Sequence, residues 1–217
     1  YILAGVPVHA AVATNKLSSS TGTLISTIRL CMHSKIDFLL AVPAIMLAFV
    51  GSSAGARLSM MIQESVLKGV LLLVLPITAY FVIRKDALSD NSKGSCSRRK
   101  ELLIAWAAAV VIGMYDGFYG PGTGTFYIII FISLAKMTTM EAAVNTKLLN
   151  LTSNLAALVT FLMHDQILIA LGLAASVFSI AGHYIGAGMV LKNGNKAVKP
   201  IILTVLGLLF LKVVTGV

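Results

Sequence analysis

Long apolar stretches alternate with short polar segments along this chain. Six runs contain no Asp, Glu, Lys or Arg, namely 38–56, 69–83, 102–115, 117–135, 148–163 and 166–191. Because a helix needs about 20 mostly apolar residues to cross a bilayer, the pattern predicts an all-α polytopic transmembrane helical bundle. A large soluble helical core is the alternative, but its helices would carry a polar outer face that these runs lack.

The boundaries of these runs predict individual helices. We expect helices over 9–33, 38–61, 64–83, 141–163, 167–191 and 200–214. The segment 102–138 is too long for one span, and its centre reads MYDGFYGPGTGT at 114–125. Since glycine and proline interrupt helices, we predict a break there.

The two halves of the chain match each other without a gap. Lys16 and Lys147 are 131 positions apart (147 − 16), and the same offset aligns Gly51 with Gly182 and Gly55 with Gly186. We predict two homologous transmembrane repeats, 1–83 and 102–217, joined by a basic linker at 84–101. The counterpart of 113–131 would precede residue 1, so we expect the first repeat to be incomplete and its N-terminal segment to be missing.

Charge sets the expected orientation in the membrane. The 217 residues are 58% hydrophobic and 12% charged, with a net charge of +9 and a mean hydropathy of +0.93. The basic residues lie mostly in loops, six of them in 84–101, which excludes a nucleic-acid partner and predicts a cytoplasmic linker.

The relative direction of the two repeats depends on the segment 102–138. If it crosses once, Lys192, Lys196 and Lys199 fall outside, against the positive-inside bias. If it crosses twice or turns back, they join the linker and the repeats are inverted, which we favour.

A polar stripe runs through each of two matching helices. The spacing of Lys147, Asn150 and Asn154 places them on one helical face, and the equivalent residues of the first half are Lys16, Ser19 and Thr23. A buried ammonium needs a partner or water, and two of them beside hydroxyl and amide donors would suit a compact anion. Alternatively, each lysine snorkels to the interface and the small polar residues join helices.

The glycine-rich break is the second candidate binding element. Broken backbone at membrane depth is tolerated where protein buries it or water lines it, and its amides could bind an anion. The chain has no GK[ST], so nucleotide hydrolysis is not supported. The alternative is an interfacial turn with Tyr115, Tyr119 and Tyr127 in an aromatic belt. The candidate residues are Asp116, Gly120, Pro121, Gly122, Thr123 and Gly124.

Two residues are candidates for proton coupling. Asp116 could carry a proton or pair with a lysine, and we favour pairing. His183 lies inside an apolar run and could relay protons or bond across helices. We find no metal-ligand spacing and no catalytic dyad, so we expect neither a metal, nor another cofactor, nor an enzyme.

Three motifs resemble one known family. TNKLSSSTGTL at 14–24, YDGFYGPGTGTF at 115–126 and NTKLLNLTSNLAAL at 145–158 are similar to the TauE/SafE family, also called the sulfite exporter family or TSUP. Its first half normally opens with a glycine-rich segment like 117–124.

The resemblance implies a secondary transporter of sulfur-containing or organic anions, such as sulfite or sulfonates, in a bacterial inner membrane. It leaves the substrate, the coupling ion and the oligomeric state open, and an uncoupled anion channel is the alternative. It also carries over the site residues that stand in the motifs, which are Asn15, Lys16, 116–124, Lys147, Asn150 and Asn154.

Overall fold

The computed structural model describes residues 1, 5–63, 65–67, 69–70, 73 and 96–193. These residues form long helices joined by short turns, which confirms the all-α prediction. The helices are α1 (Val8–Cys31), α2 (Phe38–Met61), α3 (Arg98–Phe118), α4 (Thr123–Ser133), α5 (Thr139–Leu162) and α6 (Ile169–Asn193).

The predicted bounds hold closely in the described part. The helix predicted at 38–61 has those bounds, and those predicted at 9–33, 141–163 and 167–191 each shift by at most two residues. The helix at 200–214 and most of 64–83 lie outside the described residues. α3 begins at Arg98, inside the basic segment 84–101, and the division into domains stays a prediction.

Capping side chains fix two helix starts. Asp37 precedes α2 and accepts a hydrogen bond from the Leu40 amide, while Thr138 and Glu141 form a capping box at the start of α5. Asp37 also forms an ion pair with Arg98, which lies at the start of α3. The N-termini of α2 and α3 are therefore tied together.

Helices α2 and α3 pack closely through glycines. A Cβ placed on Gly55 would lie 1.9 Å from the Met114 carbonyl oxygen, and one on Gly117 would lie 1.9 Å from that of Ser52. Small residues four apart permit such backbone approach between membrane helices. Trp106 donates to the Leu40 carbonyl near the N-termini, so the two helices run parallel.

The predicted break lies between α3 and α4, and α4 folds back along α3. The Tyr115 and Phe126 rings meet edge to face at 5.8 Å. Tyr127 donates to the Ala109 carbonyl and shares an apolar cluster with Phe131. The chain thus returns toward the start of α3 before α5 begins.

Cross-helix hydrogen bonds set the remaining directions. Lys16 binds Asn154 while Thr27 donates to the Lys147 carbonyl, so α1 and α5 are antiparallel. The Leu168 amide donates to Thr14, and Ser26 contacts His183 farther along, so α1 and α6 are parallel.

Helix length and surface composition fit a membrane. Within the described residues, three helices are long and apolar enough to span, at Phe38–Met61, Arg98–Phe118 and Ile169–Lys192. Large apolar side chains cover the outside, including Val111 and Phe178. Several polar residues of α1 and α5, among them Thr14, Lys16, Ser153 and Asn154, are buried instead.

Candidate functional site

A polar cavity of about 340 Å³ lies where α1, α5 and α6 meet the turn between α3 and α4. Two polar helix stripes and the glycine-rich break supply nearly all of its wall. The lining residues are Asn15, Lys16, Ser19, Thr23, Asp116, Gly120, Pro121, Gly122, Thr123, Gly124, Asn150, Asn154 and His183.

An ion pair between α1 and α3 forms part of this wall. The Lys16 ammonium donates to Asp116 Oδ1 at 2.8 Å, and the two side chains are only 1% and 4% exposed. The ammonium also donates to Asn154 Oδ1 at 3.2 Å. A charged pair in low dielectric is tolerated when its hydrogen bonds are satisfied, as they are here. Snorkelling of Lys16 to the interface is therefore excluded.

The Asp116 carboxylate accepts hydrogen bonds from three other helices. Thr123 on α4 donates to Oδ1 at 3.1 Å, and Ser153 on α5 donates to Oδ2. Together with Lys16 on α1, these bonds fix the orientation of a side chain that α3 carries. Because a carboxylate has lone pairs for several donors, it can accept all three bonds at once.

The glycine-rich turn adopts a left-handed backbone where the cavity begins. Gly120 has φ +102° and Gly122 has φ +83°, values that L side chains rarely adopt. A Cβ on Gly120 would lie 2.8 Å from Asp116 Oδ1 and 2.9 Å from Lys16 Nζ. Tyr115 donates to the Pro121 carbonyl at 2.6 Å and braces the turn. Glycine at position 120 thus leaves room for the ion pair.

His183 on α6 also lines the cavity. Its Nδ1 lies 3.2 Å from Ser26 Oγ on α1. The residue packs closely against α1, since a Cβ on Gly22 would lie 2.5 Å from His183 Cδ2. The contact fits the predicted bond across helices.

Lys147 is placed differently from Lys16. It is partly buried and does not line the cavity, although it lies one turn before Asn150 on α5. Its backbone carbonyl accepts a hydrogen bond from Thr27 on α1, the residue that follows Ser26. Of the substrate-binding residues predicted from the sequence, the structure brings together all except Lys147, and it adds His183 to them.

Two features of the site differ from the sequence-based interpretation. The alternative that the tyrosines of the glycine-rich break form an aromatic belt at the membrane interface is wrong, because Tyr119 and Tyr127 are buried among helices. Ser153 was not predicted, although it binds Asp116 directly. The sequence analysis named the neighbouring Asn154 as a candidate. Ser153 did not stand out, because serines in membrane helices often donate to their own backbone.

The site combines hydrogen-bond donors with nearly balanced charge. Hydroxyl groups of Ser19 and Thr23 and amides of Asn150 and Asn154 surround the cavity, and α4 begins at its edge. Such a wall can hold a small polar solute by hydrogen bonds, with the positive end of the α4 dipole favouring negative charge.

The sequence matches one protein family and several relatives that are described as probable membrane transporters. The family model described as "Sulfite exporter TauE/SafE" matches residues 1–213. The chain is 32% identical over 203 residues to the probable membrane transporter protein YfcA of Escherichia coli strain K12, covering 93% of this chain and 74% of that protein. It is 30% identical over 202 residues to a probable membrane transporter protein of Haemophilus influenzae, covering 93% and 78%. No solved structure matches the chain.

Apolar helices long enough to span a membrane surround a polar cavity, and the family and the names of these relatives indicate a membrane transporter rather than an enzyme. The chain belongs to the sulfite exporter TauE/SafE family.

Proposed function

We propose that this protein is a secondary transporter of small anions, with sulfur-containing anions such as sulfite or sulfonates as substrates. The cavity lined by Lys16, Asn150 and Asn154 is the midplane binding site. The observation that carries the proposal is a buried lysine in the wall of a polar cavity within apolar helices. Ionisable residues at such depth mark substrate pathways.

Alternating access rests on two inverted repeats. Helices α1 and α5 both begin and end 131 residues apart (139 − 8 and 162 − 31), and α2 and α6 begin at the same offset. The antiparallel arrangement of α1 and α5 supports an inverted relationship. Rocking of one repeat against the other would open the cavity to each side in turn.

The distribution of basic residues supports a membrane orientation. In the described part, one end of the bundle carries most of them, where α1 and α6 end and α2, α3 and α5 begin. They are Arg29, Lys35, Arg98, Arg99, Lys100, Lys136 and Lys192. The opposite end carries Arg57 on α2. By the positive-inside rule the first end, with linker 84–101, faces the cytoplasm of an inner membrane.

Two residues of the wall could carry a coupling proton. Asp116 would release Lys16 on protonation, because the carboxylate is the counter-ion of that ammonium. His183 faces the same cavity from α6. Either route would link anion movement to a pH gradient.

Flux in proteoliposomes tests the proposal. A proton-coupled transporter accumulates radiolabelled sulfite above its equilibrium concentration when a pH gradient is imposed. A protein that equilibrates sulfite without accumulation in any imposed ion gradient is an uncoupled channel, which rejects the transporter but keeps the anion site. Absence of sulfite and sulfonate flux above that of empty liposomes rejects both.

A further inference from the structure

The positive charge in the cavity wall is already compensated. Among the residues that the structure describes, Lys16 is the only lysine or arginine that lines the cavity, and it is bound to Asp116 at 2.8 Å. A fixed carboxylate therefore competes with any anion for this ammonium. An entering anion that approached Lys16 would also approach Asp116, and the two interactions oppose each other.

Lys147 is a cation on α5 that lacks such a partner among the described residues. It forms no ion pair with a residue that the structure describes. Its backbone carbonyl accepts a hydrogen bond from Thr27, which follows the Ser26 that contacts His183. Its position one turn before Asn150 brings its charge near the same wall. An ammonium held in an apolar bundle is stabilised by a counter-ion, which a bound anion would supply.

The other described carboxylates are unavailable to Lys147. Asp37 and Glu101 bind Arg98, and Glu141 closes the capping box with Thr138. Asp165 follows the far end of α5, which lies about 22 Å along the helix axis from Lys147. Arg29 also lacks an ion pair with a described residue, but it lies near the end of α1, where it donates to the Tyr184 carbonyl and stacks on the Tyr184 ring. Within the described part of the chain, Lys147 is thus the one uncompensated cation within a turn of a cavity-lining residue on its own helix.

We propose that the cavity selects monovalent anions over divalent anions, with Asp116 acting as a built-in counter-anion that occupies Lys16 and leaves Lys147 to balance one negative charge. This rests on the proposed function, since it concerns the substrate of the same site. A monoanion makes the site neutral, whereas a dianion leaves one negative charge unbalanced beside Asp116. At distances of several ångströms such an imbalance is worth about tenfold or more in affinity.

Two tetrahedral sulfur oxyanions make a matched pair of probes. Methanesulfonate carries one negative charge and sulfate two, and neither changes its charge between weakly acidic and weakly alkaline pH. We expect the purified full chain to bind methanesulfonate at least about tenfold more tightly than sulfate, measured by isothermal titration calorimetry. Equal or tighter binding of sulfate would overturn the inference.

Two substitutions isolate the carboxylate. Asp116→Asn keeps the shape and a hydrogen-bond acceptor but removes the negative charge, so sulfate should gain about tenfold relative to methanesulfonate. Ser153→Ala removes a hydrogen bond to Asp116 but keeps its charge, so it should leave the preference for methanesulfonate in place. An unchanged preference in Asp116→Asn would contradict the role of the carboxylate, as would a shift in Ser153→Ala as large as that in Asp116→Asn.

The outcomes separate this inference from the function on which it rests. Binding of both probes with sulfate preferred keeps the anion site and rejects the monovalent selectivity. Failure of the wild-type protein to bind methanesulfonate, sulfate, sulfite, acetate or chloride rejects the anion site itself. Lys147→Gln should lose methanesulfonate binding by about tenfold while Lys147→Arg retains it, and equal affinities in both would reject Lys147 as the balancing charge.

Discussion

The Lys16 ammonium and the Asp116 carboxylate lie 2.8 Å apart, although 100 residues separate them in the chain. Both side chains are buried, and α1 and α3 share no other ion pair among the described residues. The pair therefore joins the first part of the chain to the glycine-rich turn that forms the cavity wall.

Removing one partner of this ion pair should destabilise the protein more than replacing both partners with apolar residues. Asp116→Ala leaves the Lys16 charge buried and unpaired, so we expect a loss of about 3–5 kcal/mol in stability. The double variant Lys16→Met with Asp116→Leu should recover most of that loss, because apolar side chains of similar size replace both charges. Thermal unfolding in detergent measures both variants, and a double variant no more stable than the single one would contradict the buried pair.

Alanine at position 120 should damage the site in two ways. Gly120→Ala strains a backbone at φ +102° and places a methyl group against the ion pair. We expect it to abolish anion transport and to destabilise the protein by about 2–4 kcal/mol. Gly5→Ala is the matched control, since φ is +80° there and no described atom lies within 4 Å of the added carbon. Equal transport defects in the two variants would show that backbone strain alone is responsible.

The glycine contact between α2 and α3 should be sensitive to a single methyl group. Gly117→Ala would press against the Ser52 carbonyl, and we expect a lower melting temperature, equivalent to about 1–3 kcal/mol. Gly182→Ala lies on the exposed face of α6, where no described atom comes within 4 Å. It should leave stability unchanged or raise it by up to about 1 kcal/mol, because alanine favours helix. Similar losses in both variants would contradict the packing.

Cysteine labelling tests the proposed orientation. In a background lacking Cys31 and Cys96, Lys192→Cys should react with an impermeant maleimide only from the cytoplasmic side, and Arg57→Cys only from the opposite side. Both positions are exposed and lie at opposite ends of the described bundle. Labelling of both cysteines from the same side would refute inverted repeats.

The apolar pattern could predict the helices because each run is bounded by its own local signal. Asp37 caps α2, and the Thr138–Glu141 pair caps α5. The break at Gly120–Gly122 was predictable because two glycines and a proline cannot continue a helix there. The start of α3 was harder to place, since its first turn is basic and reads as linker.

The residues that line the cavity could be predicted in part from the sequence, but the sequence does not show which lysine binds Asp116. The spacing of Lys16, Ser19 and Thr23 placed them on one face, and that face lines the cavity. Nothing in the sequence distinguishes Lys16 from Lys147, because the repeat gives them equivalent positions. Only the packing of α1 against α3 and α5 decides that Lys16 binds Asp116 and that Ser153 completes the carboxylate's bonds.

The central claim is that the small anion occupies the cavity beside Lys16, and filling that cavity tests it most directly. Ser19 lines the cavity, whereas Leu24 on the same helix is exposed on the outer face. Equilibrium binding of radiolabelled sulfite to purified wild type, Ser19→Trp and Leu24→Trp is the measurement. The account predicts that Ser19→Trp loses at least about tenfold in affinity while Leu24→Trp binds as the wild type does. Sulfite binding that is unchanged in Ser19→Trp would place the anion elsewhere and contradict the account.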